Sequence, residues 1–151
     1  SDDPVSRQST RISCASVGGA QVSYDPRFWR EIGLGKGLQH SSFPLMYGVP
    51  SDDPFKDPKK IAIAEACAPI EHVTRDDSPV YFQYGVPDEL SDKTSVGAVV
   101  HHPRHGQLFK KKADGLGIEC HVQYPGGPKP TLSSEQFLIK HLTQTPDAGS
   151  R

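Results

Sequence analysis

Apolar and polar positions along the chain change period several times, and three short segments have the pattern of strands. Residues 11–17 are apolar or small on both faces and end at two glycines, which predicts an internal strand of a parallel sheet. Residues 80–84 form a second apolar and aromatic run, which predicts a second strand. Residues 118–124 alternate between apolar and polar side chains, so they predict a third and more exposed strand.

Helix-end signals and apolar spacing predict three helices between and after these strands. Asp57, followed by a proline, is typical of an N-cap, and the helix that follows is expected to be short and buried and to end before the next proline. A second helix is predicted from Pro103, with apolar side chains at positions 109, 113 and 116 and a C-cap at Gly117. Ser133 and Gln136 form a capping box that predicts the last helix.

The order of these elements favours an α/β class. Strands that alternate with helices predict a three-layer α/β/α parallel sheet with right-handed crossovers. Residues 20–56 lose their period and are rich in glycine and aromatic side chains, so we interpret them as an irregular, cap-like insertion. Such an insertion is either a lid or loop that binds a ligand, or an ordinary segment that covers the protein surface.

Composition narrows the class of protein. A chain of 151 residues is of single-domain size. Its 17 basic and 18 acidic side chains are interspersed, so we expect neither nucleic acid nor an acidic membrane surface as a partner. No apolar run is long enough to span a bilayer. Three well-separated cysteines, Cys14, Cys67 and Cys120, predict buried free thiols.

Asp88 is the first candidate site residue. The second predicted strand leads directly into Gly85-Val86-Pro87-Asp88, which places a carboxylate beyond the carboxyl end of a strand. In open α/β sheets that edge is where ligands bind. The alternative is an aspartate that only caps a turn.

The segment around Asp88 resembles a known enzyme family. Ala68-Pro69-Ile70-Glu71-His72-Val73, then Asp76-Asp77-Ser78-Pro79-Val80, then Gly85-x-x-Asp88, looks like the carboxyl-terminal half of an α/β-hydrolase of the esterase and lipase branch. The resemblance implies that the three strands are the sixth, seventh and eighth of that fold. It also implies that Asp88 is the acid of a Ser-Asp-His triad, that a small-molecule ester is the substrate and that neither a cofactor nor a metal is used.

The resemblance implies further that residues 1–151 are one partial domain. The G-x-S-x-G motif of the family's nucleophile elbow does not occur in this sequence, so we expect the nucleophile upstream of Ser1. We also expect that a native amino terminus is missing, because the chain begins with serine rather than methionine. Localisation therefore stays open, and the chain by itself is expected to be inactive toward esters.

The loop after the third strand departs from the family pattern. It holds Pro128 and Lys129 where the resemblance implies the triad histidine. A lysine side chain is ordinarily protonated at pH 7 and cannot accept a serine proton. The alternative function is therefore a non-catalytic, α/β-hydrolase-like binding module with a decayed triad.

Two further residues resemble parts of a triad within this chain. Ser16, in Cys14-Ala15-Ser16-Val17-Gly18, resembles a nucleophile elbow with cysteine in place of the first glycine. The segment that follows has no helical pattern, so a buried strand serine is the alternative. His121 follows Asp88 in the order expected of a general base, but it lies inside the alternating third strand.

Two clusters suggest ligand chemistry with an ordinary alternative. His101, His102 and His105 stand near a helix start with a spacing that can bind zinc, whereas solvated histidines at a helix entrance are the alternative. Gly126 and Gly127 can offer backbone N–H groups to an anion, or they form only a turn.

The strand at 11–17 also predicts self-association. If the rest of the larger sheet is absent, this strand is left as an apolar edge that can pair with another chain.

Overall fold

The fold is built on a three-stranded parallel sheet. The structure is a computed structural model, and it describes residues 2–7, 11–50 and 55–143. The sheet order is β1-β2-β3, with β1 at Ala15–Gly18, β2 at Val80–Gln83 and β3 at Cys120–Gln123. In register, Ala15 lies opposite Val80, and Val80 lies opposite Cys120. The three predicted strands and the α/β class are confirmed.

Helices connect and follow the strands. Asp57 caps the helix after the insertion by accepting a 2.9 Å hydrogen bond from the Lys59 N–H, as its sequence position predicts. Gly117 ends the long helix with φ at 78°, the left-handed conformation that favours glycine. The helical segments are α1 Pro26–Glu31, a 3-10 helix Gly35–Gln39, α2 Ser42–Tyr47, α3 Pro58–Ala66, α4 Pro69–His72, α5 Val96–Val100, α6 Arg104–Leu116 and α7 Ser134–Thr143.

Helix α6 covers one face of the sheet. Val80 and Phe82 of β2 point to this face together with Cys120 of β3, because alternate side chains of a strand share a face. Leu108 and Phe109 of α6 pack against them, and the Phe82 and Phe109 rings meet edge to face at 5.2 Å. Burial here also raises the pKa of the Cys120 thiol to about 12, so that thiol is inert at neutral pH.

Helix α7 lies against the opposite face. The ring of Phe137, which is fully buried, contacts the rings of Tyr81 on β2 and His121 on β3 at 5.6 and 5.7 Å. Glu119, just before β3, accepts a 2.6 Å hydrogen bond from Lys140 of α7 and contacts His121 at 2.9 Å. Partial burial alone would raise the pKa of Glu119, but these partners hold it at about 2.

The segment interpreted as an irregular insertion contains three short helical elements, α1, the 3-10 helix and α2. Four of its aromatic side chains are buried in a second hydrophobic cluster with α3 and α5: Trp29, Phe43, Tyr47 and Phe55. Trp29 is 1% exposed and meets Phe43 edge to face at 5.1 Å. The short helices were not evident in the sequence because each is only five or six residues long, too short for an apolar period to emerge.

Several other features of the structure differ from the sequence expectations. Strand β1 begins four residues later than expected, and its side chains are half-buried because it is the edge of the described sheet. Helix α3 is largely exposed apart from Ala64, and Pro69 begins the short helix α4 as well as ending the previous segment. Of the three cysteines predicted to be buried, only Cys120 is buried; Cys14 is half-buried, and Cys67 is exposed because it caps the exposed end of α3. Helix α5 was not predicted.

Candidate functional site

Asp88 lies beyond the carboxyl end of β2, where its sequence position predicts it. Its side chain is 42% exposed, and its Oδ2 accepts a 3.1 Å hydrogen bond from the Gln107 amide of α6. The Arg104 Nε lies 3.7 Å from Oδ1, so a positive charge faces the carboxylate without a hydrogen bond to it. Asp88 is therefore joined to the start of α6 rather than exposed freely to solvent.

Gln107 links Asp88 to a second residue of the same sheet edge. The Gln107 Nε2 also donates a 2.9 Å hydrogen bond to the hydroxyl of Tyr124, which follows β3 directly. An amide nitrogen carries two hydrogens, and both are used by these two bonds. The carboxyl ends of β2 and β3 are thus connected through a single side chain.

His102 is the described histidine nearest to the Asp88 carboxylate, but the two do not form a catalytic pair. The His102 Nδ1 lies 3.8 Å from Oδ1, beyond hydrogen-bond range. The same nitrogen accepts a 3.3 Å bond from the Arg104 N–H, so it does not carry the proton. Burial lowers the pKa of His102, and the charge of Asp88 only partly opposes that effect. At 1% exposure, the imidazole is closed off from any substrate.

His105 is also buried, which contradicts the expectation of solvated histidines at a helix entrance. It is 0% exposed, and its ring lies 4.7 Å from Trp29 and 6.5 Å from Phe28. Neither ring nitrogen has a hydrogen-bond partner among the described residues. Burial, with smaller contributions from His102 and His101, lowers its pKa from 6.5 to about 4, so it is neutral at pH 7.

His101, the third histidine of this cluster, faces the other way. Its Nδ1 lies 2.6 Å from the carbonyl oxygen of Gly19, just after β1. Across the described part of the chain, no three His, Cys, Asp or Glu side chains are arranged to hold a metal ion. Of the three histidines, His105 packs α6 against aromatic side chains of the insertion.

The loop after β3 is a turn, and it holds Lys129 at the surface. The Gly127 N–H donates a 3.1 Å bond to the Tyr124 carbonyl, so it is not available to an anion. Gly126 has φ at 79°, which explains glycine at that position. A Cβ on Gly127 would lie 2.4 Å from the Tyr124 ring, so the turn packs directly on that ring. Lys129 is exposed at the position where the resemblance implies histidine.

A groove of about 640 Å³ opens between α6, β3 and this loop, and we call it the β3 groove. Val122, Tyr124 and Pro128 contribute apolar surface to it. Lys110, Lys111 and Lys129 place three ammonium groups along it. Gln107 also lines the groove, so the groove shares a side chain with the Asp88 contacts.

Ser16 and His121 do not join Asp88 in the described structure. The Ser16 hydroxyl accepts a 3.2 Å bond from the Gln83 amide of β2, and no helix follows β1 until Pro26, so the elbow geometry is absent around it. His121 contacts Glu119 at 2.9 Å and packs on Tyr81 and Phe137 on the α7 face. Both side chains therefore lie on the sheet face opposite α6, where they pack against neighbours, and His121 also lines the edge of the β3 groove.

Three residues of this site were not predicted from the sequence: Arg104 and Gln107, which contact Asp88, and Tyr124, which is bonded to Gln107. Arg104 and Gln107 stand three positions apart in α6, which places them on one helix face. That spacing was visible in the sequence, but nothing in it indicated which face turns toward the acid loop. Tyr124 was read only as the last apolar position of the third strand.

The comparisons leave the family of the chain open. No family model matches the sequence, and neither a curated protein nor a solved structure is significantly similar to it. No helix in the described ranges combines the length and apolar character needed to cross a membrane.

Proposed function

We propose that this chain is the carboxyl-terminal part of an α/β-hydrolase-like protein in which the acid position no longer serves ester hydrolysis. On this proposal β1, β2 and β3 correspond to the last three strands of a larger three-layer sheet, and the edge beyond β2 and β3 serves binding. The parallel order β1-β2-β3, with α6 on one face and α7 on the other, supports it.

The observation that carries the proposal is the set of partners of Asp88. A triad aspartate accepts a hydrogen bond from the N–H of the catalytic histidine and thereby fixes its tautomer. Here the Oδ2 of Asp88 accepts from a neutral amide, Gln107, that has no proton to exchange in a reaction. The loop after β3 offers Lys129, an ammonium group, in place of the imidazole. On this proposal the Asp88 carboxylate connects the loop after β2, through Gln107, to Tyr124 after β3.

The second candidate is an active esterase whose serine and histidine lie elsewhere in the complete protein. One observation favours it: the Asp88 Oδ1 is buried and accepts no hydrogen bond from a described residue. A histidine N–H supplied to that oxygen would complete a triad. Under this candidate, the small-molecule ester remains the substrate, and Asp88 remains the catalytic acid.

An esterase assay distinguishes the two. Turnover of p-nitrophenyl butyrate by the complete gene product is compared with that of its Asp88→Asn variant, which keeps an acceptor for Gln107. We expect no turnover above buffer from either protein, because the triad contact is absent. Loss of a measurable activity by about 10⁴-fold in Asp88→Asn would instead establish the active esterase.

Glu89→Gln serves as the matched control, since it removes a neighbouring carboxylate charge without touching Gln107. Labelling of the complete gene product with a fluorophosphonate probe, which reacts with activated serines, provides an independent readout. Strong labelling that is lost on heat denaturation contradicts the proposal. Absence of labelling supports it.

A further inference from the structure

We infer that the β3 groove binds small apolar molecules that carry one carboxylate. This inference rests on the proposed function, because it assigns a ligand class to the edge of the sheet that the proposal describes as binding. The groove lies against the Gln107 contact with Asp88, at the carboxyl end of β3. In open α/β sheets, ligands bind beyond the carboxyl ends of strands.

The apolar part of the groove determines the body of the ligand. Val122, Tyr124, Pro128 and Pro130 line it with aliphatic and aromatic surface. The volume of about 640 Å³ is in the range of small-molecule sites, which run from about 300 to 1,000 Å³. A purely ionic ligand such as a free phosphate would leave this surface uncovered, so an apolar body is favoured.

The charges of the groove determine the head group. Lys110 pairs with Asp114 at 2.8 Å, and Asp114 is the acidic side chain of the groove among the residues described. Lys111 and Lys129 are both exposed and make no ion pair with another described residue. The groove therefore has two positive charges that an acidic side chain does not neutralise, which suits an anion.

The Tyr124 hydroxyl adds a directional contact. It accepts the bond from Gln107, so its own hydrogen is free for donation, and no described residue is recorded as accepting it. The Gly126-Gly127 turn packs on the ring and limits its movement. A fixed O–H donor beside two ammonium groups matches a carboxylate, which accepts at both oxygens.

The test uses octanoate as the probe and octan-1-ol as its uncharged match, each titrated into the ¹⁵N-labelled chain. We expect octanoate to shift the amide signals of residues 107–114 and 120–131, and to bind at least about fivefold more tightly than octan-1-ol. Equal binding of the two probes would overturn the assignment of a carboxylate site. Signals that shift throughout the chain, with no focus on these residues, would overturn the location.

Two variants with the same change in charge sharpen the test. Lys129→Met is expected to weaken octanoate binding about fivefold and to leave octan-1-ol binding unchanged. Lys93→Met, which removes an exposed lysine outside the groove, is the control and should leave both unchanged. An equal loss in the two variants would show that only net charge matters, which contradicts a specific site.

The ester assay tests the proposed function and the octanoate titration tests the ligand of the groove, so a negative result in one can be told apart from a negative result in the other. If octanoate does not bind and the complete gene product also has no esterase activity, only this inference is wrong. If octanoate binds but esters are hydrolysed with dependence on Asp88, the proposed function is wrong and the groove is the acid-product site of an active enzyme. Thermal melts of both lysine variants confirm that each remains folded.

Discussion

At the scale of single residues, His105 combines complete burial with two ring nitrogens that have no partner among the described residues. Burying a neutral imidazole without hydrogen-bond partners costs about 1–3 kcal/mol, but burying an imidazolium costs several kcal/mol more in desolvation. The surrounding groups do not offset this cost, because Trp29 and Phe28 are uncharged rings and His102 and His101 are of like charge when protonated. His105 is therefore a site of acid sensitivity.

We predict that the free energy of unfolding falls as the pH falls from 6.5 to about 4. The pKa of His105 is about 4 when folded and 6.5 when unfolded, so in this window the unfolded chain binds the additional proton. The contribution of the neutral His105 to the free energy of unfolding is fully present above pH 6.5. It decreases by about 3 kcal/mol toward pH 4, on the scale of about 1.4 kcal/mol per pKa unit. Urea denaturation followed by the fluorescence of Trp29, the one tryptophan of the sequence, measures this slope.

Replacing the His105 imidazole with a benzene ring tests whether His105 causes this pH dependence of stability. His105→Phe should flatten most of the pH dependence between 6.5 and 4, leaving the smaller contribution of His102, whose pKa burial also lowers. At pH 7 it should change stability by no more than about 1.5 kcal/mol. His40→Phe, at an exposed histidine, is the control and should retain the full slope. A slope that survives in His105→Phe would show that another group dominates.

At the scale of elements, the contact between α6 and the sheet depends on one glycine. A Cβ on Gly106 would lie 2.6 Å from the Tyr84 ring and 3.1 Å from Val122. Tyr84 cannot move away easily, because it is buried and its hydroxyl donates a 2.9 Å bond to the Ala20 carbonyl. The helix lies close to β2 and β3 because no side chain separates them at this position.

Two alanine substitutions in α6 are expected to have opposite effects. Gly106→Ala should destabilise the protein by about 1–3 kcal/mol through overpacking. Gly115→Ala meets no atom within 4 Å and should stabilise it by up to about 1 kcal/mol through helix propensity. Thermal melts of the two variants check the signs, and a stabilised Gly106→Ala would show that α6 is packed more loosely than described.

The same elements show how much of the fold was predictable from sequence. The strands, the caps at Asp57 and Gly117 and the capping box at Ser133 rest on local chemistry, so the sequence was sufficient for them. The burial of His105 and the use of Gln107 depend on which helix face meets a distant segment. No local pattern encodes that pairing, so the contacts that Asp88 makes with α6 were not predictable from the sequence.

At the scale of the whole molecule, the outer edge of β1 is not paired with another described strand. The N–H groups of Ala15 and Gly19 donate to β2 neighbours at 3.0 and 2.7 Å, so the alternation of a parallel ladder turns those of Ser16 and Gly18 outward. Outward backbone groups on a half-buried strand form a template for pairing with another chain.

We predict that the chain self-associates through this edge. Ser16→Pro removes an outward N–H while leaving the ladder to β2 intact, so it should reduce association without preventing folding. Val17→Pro, one position along, removes a ladder donor and should destabilise the fold instead. Sedimentation velocity over a range of protein concentrations measures the association, and a wild-type chain that stays monomeric at every concentration would contradict the prediction.

The two hydrogen bonds of the Gln107 amide make the loops after β2 and β3 mechanically dependent on each other. A ligand that takes the Tyr124 hydroxyl as its own partner therefore alters the position of the amide, and with it the hydrogen bond that the amide makes to Asp88. Gln107→Leu, which is close in size, would remove both bonds at once, and a ligand near Tyr124 would then have no route by which to affect Asp88.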